Sequence, residues 1–257
     1  MIGIIIQART GSTRLPKKVI KKIVGKTVLE HVIGRTKRVK NIDKIVLATT
    51  RKKEDDILVE IAKKLNISVY RGSEDDVLDR YYQAAKLLKI SEIIRITADC
   101  PLIDPKIVEQ VADFYFQGNC DFVSNTHPPT FPNGMDVEIF NFKSLKKSWQ
   151  EAKLKSEREH VTPYIYKNLN LFKIDNVVYG NNNFSYLRIT LDEKEDLLLI
   201  RKIYRELYNQ NRFFGLEDVL KLFKEKPGLT KINQHIKRNE GYLRSLKEDE
   251  KNKTGKN

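Results

Sequence analysis

Along this chain the apolar positions switch repeatedly between short continuous runs and a 3.6-residue period. Ile2–Ala8 is a largely apolar run that ends in a loop, and Val28, Leu29, Val32, Ile33 and Thr36 then recur at helical spacing. Lys44–Thr49 is a second strand-like run, followed by the helix face Ile57, Leu58, Ile61, Ala62 and Leu65. Ser68–Arg71 is a third, followed by Val77, Leu78, Tyr81, Tyr82 and Ala85. Glu92–Ala98 is a fourth, followed by Ile107, Val108, Val111, Ala112 and Tyr115. The period supports each helix, and strands alternating with helices of this length predict βαβ units and an α/β fold on a mainly parallel sheet.

The pattern loosens after residue 120. Strands are expected over Asp121–Asn125, Val137–Phe140, Leu171–Tyr179 and Tyr186–Leu191, with a proline-rich loop over Asn125–Asn133. Helical pieces are expected over Ser144–Glu151, Ser156–Asn168 and Asp192–Tyr208, and a last one is marked by Leu216, Val219, Leu220 and Phe223. Ser73 with Asp76 three residues on resembles a capping box, and Asp104 before Pro105 suits a helix start. Residues 1–243 are expected to form a single domain. The charged stretch 244–257 is expected to be a disordered tail.

Composition adds little to this picture. Lys and Arg number 48 against 34 Asp and Glu, a net charge of +14 that favours anionic partners, although lysine is spread throughout. Cys100 and Cys120 form no Cys-x-x-Cys pair and suit a reducing cytoplasm. No apolar stretch approaches the roughly 20 residues that cross a bilayer, and Ile2–Ile6 is too short for a signal peptide core. A cytoplasmic protein without membrane insertion is expected.

The candidate chemistry starts at the first strand's end. Arg9, Arg14, Lys17 and Lys18 surround Gly11, Ser12 and Thr13, which supply exposed amides and two hydroxyls. Backbone donors grouped with cations bind polyphosphate, though a solvated basic turn has the same composition. A triphosphate calls for a divalent metal, and Mg²⁺ binds through one or two carboxylates plus phosphate oxygens. Asp99 follows the fourth strand and Asp192 follows Leu191. In a parallel sheet the strand C-termini face the ligand crevice, which puts Asp99 on the same edge as the cationic loop. Asp192 could instead only cap the next helix.

Several familiar sites are excluded. Gly25-Lys26-Thr27 lacks the P-loop glycine, since Ile20 stands five residues earlier. No Gly-x-Gly-x-x-Gly follows the first strand. His31, His127, His160 and His235 are far apart in sequence, against a histidine zinc site, and no nucleophile elbow is present.

The run Gln7-Ala8-Arg9-Thr10-Gly11-Ser12-Thr13-Arg14-Leu15-Pro16-Lys17-Lys18 closely resembles the opening loop of cytidylyltransferases that make CMP-activated acidic sugars. Further matches are Arg71–Tyr81, Arg95–Asp104, Asn133–Glu138 and Ser156–Tyr164. Together they resemble the spore-coat polysaccharide biosynthesis protein F family, which is similar to CMP-3-deoxy-manno-octulosonate synthetase and acylneuraminate cytidylyltransferase. The resemblance implies a Rossmann-like three-layer α/β/α nucleotidyltransferase fold. It implies catalytic roles for Arg9, Lys18 and Asp99, and a Mg²⁺ site on Asp99 and Asp192. It assigns the nucleotide to Ala8, Arg9, Gly11, Ser12, Thr13, Arg14, Lys18, Arg71, Gly72, Ser73, Val77, Arg80, Ala98 and Asp99.

Acceptor candidates are Asn125, Asp136, Glu138, Arg158, Glu159 and His160, although Asp136 and Glu138, two apart on a strand, could simply share a solvent face. The implied partners are CTP and a small acidic sugar or phosphorylated acceptor, with no nucleic acid, in a homodimer. One departure stands out: the family usually has glycine where Lys17 stands, a residue type that tolerates positive φ. Two rivals are weighed. A glycosyltransferase would carry Asp-x-Asp, whereas Asp99-Cys100-Pro101 lacks the second acid. A nucleic-acid-binding module would gather its basic residues with aromatic platforms on one face.

Overall fold

The computed structural model describes residues 1–254. Its main sheet has the order β5-β4-β1-β6-β8-β7-β9. The strands are β1 (Ile2–Gln7), β4 (Lys44–Thr50), β5 (Ser68–Gly72), β6 (Glu92–Thr97), β7 (Phe122–Ser124), β8 (Glu138–Asn141) and β9 (Ile174–Asn176). Only β8 runs against its neighbours; every other pairing is parallel. A separate hairpin pairs β2 (Lys22–Ile23) with β3 (Lys26–Thr27). Its turn holds Val24 and Gly25 at φ 39° and 83°, so Gly25-Lys26-Thr27 is hairpin rather than phosphate loop.

Ile4, Ile5 and Ile6 of β1 are all fully buried, because the strand is central and covered on both faces. Ile4 and Ile6 point to a core shared with α1 (Val28–Thr36), α2 (Asp56–Lys64), α4 (Pro105–Gln117), α8 (Lys194–Leu207) and α9 (Leu216–Glu225). Ile5 points to the opposite core, with α3 (Val77–Leu87), α5 (Phe142–Glu151) and α7 (Pro163–Lys167). Each isoleucine buried in this way contributes about 1.5–3 kcal/mol. The result is a Rossmann-like α/β/α sandwich. The chain leaves β1 for β4 and β5, then returns to β6 on β1's other side, so the order of strands reverses between β1 and β6. Such a switch point opens a crevice at the strand C-termini.

The second half corrects several expectations. Tyr186–Leu191 forms no strand; one isolated bridge joins Arg188 to Asn133, and Leu191 N instead donates to Asp99 O. The helix expected over Ser156–Asn168 is broken into α6 (Lys155–His160) and α7, because Val161 sits at φ 74° and Pro163 opens a new helix. Asp76, not Ser73, caps α3 by accepting from Asp79 N at 2.8 Å, and Ser73 serves the preceding turn. Asp104 caps α4 and also accepts from Leu216 N at the start of α9.

The tail expected to be disordered is the helix α10 (Glu240–Thr254) as far as the structure describes it; residues 255–257 lie outside the described residues. Polar contacts order it against α6, where few apolar groups were available. Ser245 donates to Glu159 at 2.8 Å and meets His160 at 3.1 Å. Glu248 pairs with Lys155, and the buried Asp249 accepts from Ser156 N.

Candidate active site

The loop after β1 is held from beneath by one buried carboxylate. Asp55 accepts from Thr10 N and Thr10 Oγ1, both at 2.7 Å, and from Thr50 Oγ1 at the end of β4. Burial raises a carboxyl pKa, yet these hydrogen bonds outweigh it and hold Asp55 below its ordinary value. Thr10 O then accepts from Ser12 N and Lys17 N, closing the loop. Lys17 occupies the left-handed region at φ 56°, so lysine keeps the turn that glycine would make, at a cost of about 1 kcal/mol. The chain reverses there into a single 3₁₀ turn, Lys18–Ile20, which sends Lys18 back toward the sheet.

Lys18 Nζ donates to Asp99 Oδ2 at 2.7 Å and to Asp192 Oδ1 at 2.8 Å. The three residues come from the loop after β1, the end of β6 and the segment before α8. Their convergence has a backbone cause: Leu191 N and Thr190 Oγ1 both donate to Asp99 O, at 2.8 and 3.2 Å. Gly134 makes that approach possible. Its φ is 110°, and a Cβ there would lie 2.7 Å from Thr190 N. Asp192 is not spent as a helix cap, because Asp196 accepts from the Asp192 and Glu193 amides instead. Arg188 fixes the pair, reaching Asp192 at 2.9 Å and Asp196 through two bonds of 2.9 Å. Burial disfavours charge on both Asp99 and Lys18, but their mutual attraction prevails. The Asp99 carboxyl stays well below the usual carboxylate range and the Lys18 ammonium is held above its ordinary value.

Two cavities meet at these carboxylates, of about 370 and 280 Å³. The larger is lined by Ala8, Arg9, Ser12, Thr13, Arg14, Lys18, Val77, Arg80, Ala98 and Asp99 among the expected nucleotide residues. Gly11, Arg71, Gly72 and Ser73 are not in its lining. Arg71 is a clasp: it donates to Thr50 O and Lys52 O and pairs with Asp56. Gly72 acts at one remove, since a Cβ there would lie 2.7 Å from Arg80 Cγ. Arg80 is 2% exposed, forms no ion pair among the described residues, and leaves its Nε without a hydrogen-bond partner. Burial pushes its pKa down from the ordinary arginine value. A buried guanidinium with no counter-charge is costly unless an anionic ligand supplies one.

The smaller cavity takes in Asp136, Glu138 and His160. Glu138 pairs with Arg95 at 2.5 Å and accepts from Thr162 at 2.9 Å. Asp136 pairs with Arg238 at 2.6 Å; burial pushes its carboxyl up while Arg238 pulls it down. Glu159 lines the larger cavity and His160 both. Asn125 and Arg158 line neither, and their side chains form structural ties. The fully buried Asn125 staples Met135 O and Val137 N, and Arg158 binds Asp76 and Trp149 O. Residues absent from the sequence-based set are Asp55, Arg188, Asp196 and the contributions from Arg238 to Arg244. Asp55 and Arg238 act through contacts distant in sequence, whereas Arg188 and Asp196 lie within eight residues of each other around Asp192 and bind it and its neighbouring amide.

A cationic loop and two carboxylates at a sheet switch point define a nucleotidyltransferase type of site. The chain belongs to the cytidylyltransferase family, whose model matches residues 3–226. Among relatives, uncharacterized protein MJ1063 of Methanocaldococcus jannaschii is 38% identical over 92% of this chain and 96% of its own length. Spore coat polysaccharide biosynthesis protein SpsF of Bacillus subtilis is 34% identical over 79% of this chain and 85% of its own. A solved cytidylyltransferase from Leptospira borgpetersenii superposes with a TM-score of 0.84 at 37% identity, covering 89% of this chain and 96% of that one. CMP:2-keto-3-deoxy-manno-octonic acid synthetase complexed with CTP shares the fold, with a TM-score of 0.60 at 16% identity over 80% of this chain and 98% of that one.

Proposed function

We propose that this cytidylyltransferase moves CMP from CTP to a sugar-like acceptor with an acidic group, releasing pyrophosphate. The observation that carries the proposal is the meeting of Lys18, Asp99 and Asp192 within 2.8 Å of one nitrogen, at the junction of the two cavities. The larger cavity would take the nucleotide and the smaller the acceptor, which puts the α-phosphorus at the shared carboxylates. An acceptor oxygen attacks that phosphorus, forming one P–O bond as the bond to the β-phosphate oxygen breaks. The hydroxyl proton passes to solvent and pyrophosphate leaves.

Lys18, Arg9 and Arg14 would offset charge on the leaving group, and Arg80 would gain the counter-charge it lacks. Such transfer asks the protein mainly for positioning and charge neutralisation. Two carboxylates are the donor type that Mg²⁺ takes, and in this structure both turn an oxygen to the Lys18 ammonium. Asp99 and Asp192 would hold the metal, and when bound it would neutralise phosphate charge and polarise the reacting phosphoryl group. The relation to SpsF supports a place in surface polysaccharide synthesis.

The test is a pyrophosphate-release screen of four nucleoside triphosphates against acidic sugars and sugar phosphates, with and without Mg²⁺. CTP- and acceptor-dependent release is expected. Consumption of a nucleotide sugar with no pyrophosphate would overturn the assignment.

A further inference from the structure

We propose that Arg238 binds the acidic group of the acceptor, and that the segment carrying it is a built wall of the acceptor cavity. The inference rests on the transfer reaction above and adds a residue that lies beyond the matched family region, which ends at residue 226.

The segment is anchored from both ends. Before it, the buried Asn233 donates to Arg188 O at 3.1 Å and to Asp196 Oδ1 at 2.8 Å, and Arg188 in turn donates to Lys237 O at 3.4 Å. After it, Glu240 meets Arg14 at 3.4 Å and α10 is tied to α6 through Ser245. The residues that hold Asp192 in place are thus the same ones that hold Arg238.

Three guanidiniums line the acceptor cavity and each meets a carboxylate, Arg238 only one, the partly exposed Asp136. Arg95 gives Nε to Gln7 and Nη1 to Glu138 beneath the site. Arg14 meets Asp192, Glu193 and Glu240 on the phosphate side. Arg238 gives one bond to Phe131 O at 3.2 Å and one to Asp136 Oδ1 at 2.6 Å. Its other N–H donors have no partner among the described residues. An arginine side chain has five donors in a planar fork that matches a carboxylate or phosphate. This one is 17% exposed, so it is already largely stripped of water. Asp136 and the Phe131 carbonyl fix the plane of the fork, and Asp136 remains beside it to accept sugar hydroxyls.

The experiment measures binding as well as turnover. Wild type, Arg238→Ala and Arg238→Lys are titrated by calorimetry with 3-deoxy-manno-octulosonate and N-acetylneuraminate, and with the methyl ester of each acid. Arg238→Ala should weaken binding of an acid about tenfold or more, as expected for loss of a charge-assisted contact. It should leave the ester unchanged, and CTP affinity should stay within about twofold. Arg238→Lys should recover part of the loss. Equal losses for acid and ester, an unchanged acid affinity, or no saturable binding of either acid to wild type would each overturn the proposal. Acid binding that depends on Arg238 in a protein that releases no pyrophosphate from CTP would instead sink the transfer reaction and leave Arg238 standing.

Discussion

On the side of the cleft proposed for the nucleotide, one loop between β1 and the Lys18–Ile20 turn supplies Arg9, Ser12, Thr13, Arg14 and Lys18, beside Val77 and Arg80 of α3 and Ala98 and Asp99 after β6. On the acceptor side the wall is assembled from scattered stretches: Arg95 from β6, Asp136 and Glu138 around the start of β8, His160 at the end of α6, and Arg238 just before α10. The two sides also handle charge differently. Arg9, Arg14 and Lys18 on the nucleotide side are paired with carboxylates, as Arg95 and Arg238 are on the acceptor side, but only the nucleotide side also keeps a buried guanidinium, Arg80, with no ion-pair partner among the described residues. A change in the shared loop should act on much of its side at once, whereas a change in one of the separate segments should leave the others in place.

Substitutions on the two sides should therefore separate in their kinetics. The largest effect on the nucleotide side is expected for Lys18→Ala, which should lower kcat by about 10²–10³-fold by removing charge stabilisation from the reacting phosphates. Acceptor affinity should be nearly unchanged, and a Lys18→Ala enzyme with normal kcat would break the division.

Asp55→Ala should come next. It leaves the amide and hydroxyl of the buried Thr10 without their acceptor, and should cost about 2–3 kcal/mol of stability in chemical denaturation. It should also raise the KM for CTP more than the KM for acceptor. Equal rises in both would mean that the loop does not serve the nucleotide side alone.

Acidification should act through buried histidines, chiefly on the acceptor side. Burial is the largest cause lowering His160, His127 and His31, and it brings His160 from the ordinary value of 6.5 down to about 4. The unfolded chain therefore binds protons before the native state does. The stability these groups contribute is complete above about pH 6.5 and declines as pH falls toward about 4, with no further loss from His160 below that. Melting temperature should fall between pH 6.5 and 4, and His160→Gln should flatten the slope. A flat profile would contradict the buried, neutral state assigned to His160.

The smallest effect is expected at Lys17. Glycine there removes the left-handed penalty but adds freedom to the unfolded chain, so Lys17→Gly should stabilise by no more than about 1 kcal/mol. A lower melting temperature would show that the lysine side chain stabilises the loop beyond its backbone cost.

The same contrast explains what the sequence could tell. The nucleotide side was legible because its loop is continuous and because strand C-termini in a parallel sheet share one edge, so Arg9, Lys18 and Asp99 could be placed together. Asp55 was not legible, since an acidic residue at a helix start looks the same whether or not it supports a loop 45 residues away. For Arg71, Arg158 and Asn125 the residue type suits a ligand, while in the structure their donors go to Asp56, Asp76 and Met135 O, a difference that residue type does not reveal. Arg238 lay inside the expected domain but beyond its last periodic helix, and it is ordered by ion pairs and hydrogen bonds that leave no apolar period to read.

The most direct test of the convergence of Lys18, Asp99 and Asp192 is pyrophosphate release by Asp99→Ala beside wild type, with CTP, acceptor and Mg²⁺ supplied. The expected result is a folded variant, matched to wild type by circular dichroism, with release reduced about 10³-fold or more. A folded Asp99→Ala that releases pyrophosphate at the wild-type rate would contradict the assignment of this junction as the place of phosphoryl transfer.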